Sequence, residues 1–254
     1  MRDTILFGDC RETLKEFDEK ARMCVTSPPY YGLRNYGGEE SQIGLEQTPE
    51  EFIKQLVNVF KEVKNVLTDD GTCWVNIGDS YYNYRPGRGQ GLAKQTVSNT
   101  KQDLPDVCPR RGNRIRGLKE KDLIGIPWMF AFAMRADGWY LRQDIIWSKP
   151  NPMPESVRDR CTKSHEYMFL FSKNQNYYFD VDAIKEPTRR KRSVWNVTKK
   201  PYKGAHFAVY PPELIEPCIK AGSEEGDIVL DPFMGSGTTA MVAKSLGRDY
   251  IGCE

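Results

Sequence analysis

The sequence predicts an α/β fold, a doubly wound and mostly parallel sheet that carries an inserted basic segment. Three observations lead to it. Short apolar and β-branched runs alternate with amphipathic stretches of helical period along the 254 residues. Two of the runs end in abrupt turns, Ser27-Pro28-Pro29-Tyr30 and Asp231-Pro232-Phe233-Met234-Gly235-Ser236-Gly237-Thr238-Thr239. Such turns shape ligand sites beyond the carboxyl ends of strands. A net charge of only +2 also conceals two strongly basic segments on an acidic body. The length fits one domain, 1–254, with a core of its own.

Taken in order, Thr4–Phe7 reads as a strand ending at Gly8-Asp9-Cys10, followed by a short amphipathic helix over Arg11–Phe17. Met23–Thr26 is a second strand, stopped by the two prolines because proline cannot donate to a ladder. Thr48-Pro49-Glu50-Glu51 has the cap, first-position proline and early acids of a helix start. Phe52, Leu56, Val59, Phe60, Val63 and Leu67 then carry an apolar stripe to a stop at Asp69-Asp70-Gly71. Thr72–Ile77 is a strand, Asp122–Ala136 a helix interrupted by Pro127 or starting there, and Tyr140–Trp147 and Glu166–Phe171 are strands. A helix at Pro212–Ala221, a strand at Asp227–Leu230, a helix at Thr238–Leu246 and a strand at Tyr250–Cys253 complete the series.

Charge marks what lies between. Asn83–Lys119 holds nine basic residues against two acidic ones, and Lys185–Lys203 holds eight against one. Such segments are the footprint of a polyanion partner, and Arg110, Arg111, Arg114 and Arg116 in the first and Arg189, Arg190 and Arg192 in the second are its candidate contacts. Residues 83–119, rich in Gly, Pro, Gln and Arg, read as an insertion that orders on its partner. No run nears the roughly 18 apolar residues of a membrane span, and the polar start excludes a signal peptide. The seven cysteines have no C-x-x-C pair, which excludes a zinc ribbon and suits a reducing, cytoplasmic setting. No metal is expected.

The two turns carry the chemistry. Gly235 and Gly237 allow close backbone approach by a ligand, and the helix start behind them presents free N–H groups. The third glycine of a dinucleotide fingerprint and the lysine of a phosphate loop are both absent, so neither a nicotinamide nor a nucleoside triphosphate fits. A ligand with an amino-acid carboxylate and a ribose does, with Glu254 placed as the acid that takes ribose hydroxyls. In Ser27-Pro28-Pro29-Tyr30, a hydroxyl and a proline carbonyl can accept both protons of an aromatic amine, and the ring of Tyr30 can stack on its base.

Together, TSPPY and DPFMGSGTT resemble the motifs of DNA amino-methyltransferases, the enzymes that make N4-methylcytosine or N6-methyladenine. Their order, catalytic motif first, is similar to the permuted β group. The similarity extends through Gly8-Asp9-Cys10, Gly71–Tyr81, Trp139–Pro152, Ser164–Tyr167, Ser193–Trp195 and His206–Leu214. The resemblance implies a Rossmann-like methyltransferase fold, S-adenosylmethionine as cofactor and double-stranded DNA as partner. It implies that Ser27 and the carbonyl of Pro28, braced by Pro29, hold the target amino group while Tyr30 stacks on a flipped base. Asp231, Phe233, Gly235, Ser236, Gly237, Thr238 and Thr239 would surround the methionine part of the cofactor. Glu254 would hold its ribose, Asp9 and Cys10 would lie near its adenine, and His206-Phe207-Ala208 would close the far side. Residues 172–205 become the candidate target-recognition segment, and the family usually continues with another helix after the acid at Glu254, where this sequence stops, so that either the end is trimmed or a partner covers that flank of the sheet. His165 is assigned a structural hydrogen bond.

Members of the family with Ser before Pro-Pro-Tyr tend to act on cytosine and those with Asp on adenine. Ser27 therefore favours cytosine N4, with adenine N6 the alternative. C5-cytosine methylation needs a cysteine nucleophile, and the sole Pro-Cys pair, Pro217-Cys218, falls inside an expected helix. A non-catalytic DNA-binding module is the reading from another class, although it needs neither turn. A cognate restriction enzyme and a homodimer stay open as further partners.

Overall fold

The computed structural model describes residues 2–32, 42–82, 115, 117–199 and 210–254. Arg110, Arg111, Arg114, Arg116, His206, Phe207 and Ala208 lie outside these residues, with most of 83–119 and the end of 172–205.

Eight strands form one sheet: β1 (Thr4–Leu6), β2 (Ala21–Thr26), β3 (Leu67–Ile77), β4 (Tyr140–Ser148), β5 (His165–Ser172), β6 (Val194–Asn196), β7 (Ile228–Asp231) and β8 (Asp249–Cys253). Their order across it is β1-β8-β7-β2-β3-β5-β4-β6. Five pairings are parallel, and the two made by β5 are antiparallel. The sheet is therefore mostly parallel, as its alternating pattern predicts, with one reversed strand. From β2 the chain winds one way through β3, and from β7 it winds the other way through β8. Between them lies the topological switch point, where Cys24 faces Leu230.

The longest helix, α2 (Pro49–Val66), follows the α1 turn (Cys10–Thr13) and shows why local chemistry matches the fold. The Thr48 hydroxyl accepts the Glu51 N–H at 3.2 Å, and the Glu51 carboxylate accepts the Thr48 N–H at 3.1 Å, a reciprocal capping box. Phe52, Leu56, Val59, Phe60 and Val63 are fully buried, each contributing roughly 1.5–3 kcal/mol. They pack on one sheet face with Phe130 and Met134 of α3 (Ile126–Ala136) and with Phe169 and Phe171 of β5. The opposite face is covered by α4 (Pro212–Gly222) and α5 (Thr238–Ser245), whose Leu214, Ile215, Cys218 and Val242 meet Met23, Val25, Trp74 and Trp195. Neighbours such as Cys73 and Trp74 thus enter opposite cores, the period-2 alternation of a strand covered on both sides.

Local features refine the expected elements. The stop at Asp69-Asp70-Gly71 lies within β3, which begins directly after α2. Its register against β2 shifts there, from Ala21–Leu67 to Met23–Thr72. A Cβ on Gly71 would stand 2.9 Å from the Thr68 carbonyl, so the irregularity requires glycine. Of the two readings of Asp122–Ala136, the one that starts the helix at Pro127 is close, since α3 begins at Ile126 with Pro127 in its first turn. Gly125, at φ 85°, turns the chain, and Asp79 caps it by accepting the Gly125 and Ile126 N–H groups at 3.0 and 3.1 Å. The short edge strand β6, with Val194 and Asn196 exposed, lies inside the segment expected to recognise the target. No helix among the described residues is long and apolar enough to cross a membrane.

Candidate active site

Because all strands but β5 run the same way, the carboxyl ends of β1, β8, β7, β2, β3 and β4 share one edge with the amino end of β5. The two turns stand side by side there, one after β2 and one after β7. A short bond joins them. The buried Thr26 hydroxyl donates to Asp231 Oδ1 at 2.5 Å.

Asp231, 1% exposed, holds the glycine turn in place. Its Oδ1 also accepts the Phe233 N–H at 3.0 Å, and its Oδ2 accepts the hydroxyls of Thr239 at 2.5 Å and Tyr210 at 3.1 Å. Tyr210 and Thr239 in turn share a hydrogen bond. Burial pushes the Asp231 carboxyl above the ordinary carboxylate value despite its four donors. Burial, with the charge of Asp231, likewise pushes the Tyr210 phenol well above its own ordinary value, so that it stays a donor.

Gly235 and Gly237 adopt φ of 53° and 80°, the left-handed region that side chains disfavour, and space above Gly237 is open. Behind the turn, Gly252 of β8 lies so close to Met234 that an added Cβ would stand 2.4 Å from its methyl carbon. Glu254 accepts the Gly235 N–H at 2.7 Å. Its backbone is fixed by β1, since its N–H donates to the Leu6 carbonyl at 2.9 Å and its carbonyl accepts the Gly8 N–H at 2.9 Å. Asp9 follows on the same edge, where its carboxylate caps α1 by accepting the Arg11 N–H at 2.9 Å and pairs with the Arg11 guanidinium. That pairing, its largest influence, holds the carboxyl below the usual range. Ser236, Thr238 and Phe233 complete the turn, with the Ser236 and Thr238 hydroxyls 3.3 Å apart. Cys10 is buried, its thiol pushed up to about 12.

On the other side, the Ser27 hydroxyl donates to Asn76 Oδ1 at 3.5 Å. Asn76, 1% exposed, commits its amide Nδ2 to the Tyr167 carbonyl at 3.1 Å, which turns Oδ1 toward Ser27. The Ser27 proton is thereby occupied and its lone pairs stay free to accept. The Tyr30 hydroxyl donates to Glu166 Oε2 at 2.7 Å and lies 3.3 Å from Asn76 Oδ1. Glu166 is paired in turn with Lys149. Burial alone would raise the Glu166 carboxyl, but Lys149 and the Tyr30 hydroxyl outweigh it and hold it below the usual value. Pro28 is buried and Pro29 half-buried in the turn.

Sequence reasoning missed Thr26, Asn76, Lys149, Glu166 and Tyr210. The only available signal was polarity out of place: Asn76 in an apolar strand, Glu166 opening an aromatic one. His165 makes an edge-to-face ring contact with Tyr167, centroids 5.5 Å apart. Cys24 in β2 is buried with its thiol raised well above the ordinary value, and Cys218 is likewise buried inside α4. Arg189 pairs with Glu186 at 2.5 Å, while Arg190 and Arg192 are exposed beside β6.

Residues 21–254 match the DNA methylase family of N6 and N4 methyltransferases. The chain is 51% identical over 267 residues to the type II methyltransferase M.XycI of Xanthomonas campestris pv. cyanopsidis, covering all of this chain and 84% of that protein. In structure it is similar to PvuII DNA methyltransferase, described as cytosine-N4-specific. The TM-score is 0.71 at 21% identity, over 100% of this chain and 82% of that one. It is also similar to M1.HpyAVI in complex with S-adenosylmethionine, with a TM-score of 0.61 at 19% identity over 99% and 94% of the two chains. The chain thus belongs to the DNA methylase family.

Proposed function

We propose that this chain transfers the methyl group of S-adenosylmethionine to N4 of a cytosine rotated out of duplex DNA. The observation that carries the reading is the 2.5 Å bond from Thr26 to Asp231, which ties an amine-holding turn to a cofactor-holding turn at one strand edge. The residues present fit the cofactor. An open glycine turn lies next to an acid at the end of the neighbouring strand, the pairing a ligand with a carboxylate and a ribose requires. Bound there, S-adenosylmethionine supplies an electrophilic methyl group on sulfur.

The chain's own residues do the rest. Phe233–Thr239 would cradle the methionine part, Glu254 the ribose, and Asp9 and Cys10 the adenine side. Ser27, its proton occupied by Asn76, accepts one amino hydrogen, and the Pro28 carbonyl accepts the other. Both bonds draw the nitrogen lone pair out of conjugation and toward the methyl group, and they strengthen as positive charge develops on nitrogen. Tyr30 stacks on the extruded base. The neutral Ser27–Asn76 pair, in place of a carboxylate, supports cytosine. Methylating mixed-sequence DNA, then digesting it to nucleosides for mass spectrometry, is expected to give N4-methylcytosine. Dominant N6-methyladenine would overturn the base assignment and leave the transfer chemistry standing.

Segment 172–205 serves as the recognition segment, with Arg189, Arg190 and Arg192 on phosphates beside the sheet edge and Arg110, Arg111, Arg114 and Arg116 as further phosphate contacts. A restriction endonuclease reading the same site is its cellular counterpart. Each phosphate contact contributes about 0.9 to the slope of log affinity against log salt. Replacing Arg189, Arg190 and Arg192 by alanine is expected to lower that slope by roughly 2–3 without changing cofactor affinity. An unaltered slope in filter binding would remove them from the interface.

A further inference from the structure

We infer that the Lys149–Glu166 ion pair is a clamp on Tyr30, which makes Glu166 a positioning residue that fixes the aromatic ring before the base arrives. The inference rests on the stacking role of Tyr30 proposed above. Three contacts carry it. The Tyr30 hydroxyl donates to Glu166 Oε2 at 2.7 Å, at the far end of the ring from its backbone. Glu166 Oε1 takes the Lys149 ammonium, and Asn76 Nδ2 approaches Oε2 at 3.4 Å, so the carboxylate is held from two further directions. Along its edge the ring lies against Gly78, where an added Cβ would come within 2.6 Å of Tyr30 Cε2. A ring pressed on backbone and tied at its tip has little freedom to swing.

The location makes the pair more than a structural one. The Lys149 and Glu166 side chains are only 10% and 17% exposed, and burying opposite charges rarely gains stability over an apolar pair of similar size. What an ionised acceptor supplies that an apolar pair cannot is a charge-assisted bond to the phenol. The parts come from the turn after β2, from β3, from the residue after β4 and from β5, and they meet at the Tyr30 hydroxyl and its Glu166 acceptor. The Lys149 ammonium also sits 4.2 Å over the Trp147 ring, which limits where it can carry the carboxylate.

The test is a double-mutant cycle in the full chain, using plasmid DNA and S-adenosylmethionine labelled in its methyl group. Tyr30→Phe keeps the ring and removes the tether. Glu166→Gln keeps the shape and removes the charge. Each is expected to lower kcat about tenfold, the loss of one hydrogen bond to a charged group, with cofactor affinity unchanged. If Glu166 acts through the hydroxyl, the double variant loses no more than the worse single one. A wild-type kcat in Tyr30→Phe overturns the clamp, as does a double variant whose losses multiply to about a hundredfold. Tyr30→Phe leaves the ion pair intact, so the question stays answerable if Glu166→Gln folds poorly. Tyr30→Ala reports on the underlying reading: it is expected to abolish transfer, and undiminished transfer would remove both the stacking role and the clamp.

Discussion

Replacing Asp231 by alanine is expected to destabilise the protein by several kcal/mol and to abolish cofactor binding in the same step. The carboxylate accepts from Thr26, Phe233, Thr239 and Tyr210, and the three side-chain donors are buried with it. Each donor left without a partner costs about 1–3 kcal/mol. In a chain of this size, a loss of about 4 kcal/mol lowers Tm by roughly 8–16 °C. The turn from Phe233 to Gly237 also loses the acceptor that fixes its first N–H. Calorimetric titration with S-adenosylmethionine and a thermal melt read the two effects. An Asp231→Ala protein that melts normally and still binds would show that the turn is held by other means.

The pH dependence has a definite sign. Burial raises the Asp231 carboxyl above its ordinary value of 3.8, so the folded state takes up a proton before the unfolded chain does. The contribution of Asp231 to stability is therefore complete below 3.8 and falls as pH rises through the folded value. Relative to Asp231→Asn, which does not titrate, the wild-type protein is expected to gain stability as pH is lowered through that window.

Gly235→Arg is expected to separate what Asp231→Ala combines. The turn around Gly235 is partly exposed, and the substitution removes no buried contact, so Tm should shift by only a few degrees, corresponding to about 1 kcal/mol for a strained left-handed residue. The new side chain would compete with the ligand at the turn, which is open above neighbouring Gly237, and cofactor affinity should fall at least a hundredfold, about 2.7 kcal/mol. Retained affinity in Gly235→Arg would displace the cofactor from this turn altogether.

Both variants target a turn that was legible in the sequence, because proline and glycine leave a signature whatever surrounds them. The same holds for α2, whose cap and apolar stripe are local chemistry. What stayed hidden is pairing. Nothing in His165–Ser172 says that β5 runs against its neighbours, since an apolar strand reads alike in either direction. Nor does anything near Ser27 announce Asn76, or near Tyr30 announce Glu166, 136 residues away. These polar residues look like exceptions in apolar strands until the sheet order brings them to one edge. That β3 runs through Asp69-Asp70-Gly71 was hidden for the opposite reason. A strong turn signal was overruled by tertiary pairing with β2.

The place of β1 bears on how the protein is made. Its only described strand partner is β8, with Thr4 opposite Ile251, and β8 fits between β1 and β7. On the ribosome, at 5–20 residues per second, β1 therefore waits on the order of 10–50 s for that partner to emerge. By then β2, β3 and α2 have long been available to associate. The insertion of β8 must close the loop from Thr4 to Ile251, the longest between described strand partners, and such contacts form late. That same event brings Glu254 to Gly235. The cofactor cradle is thus expected to mature after β2, β3 and α2 have associated, once β8 has taken its place between β1 and β7.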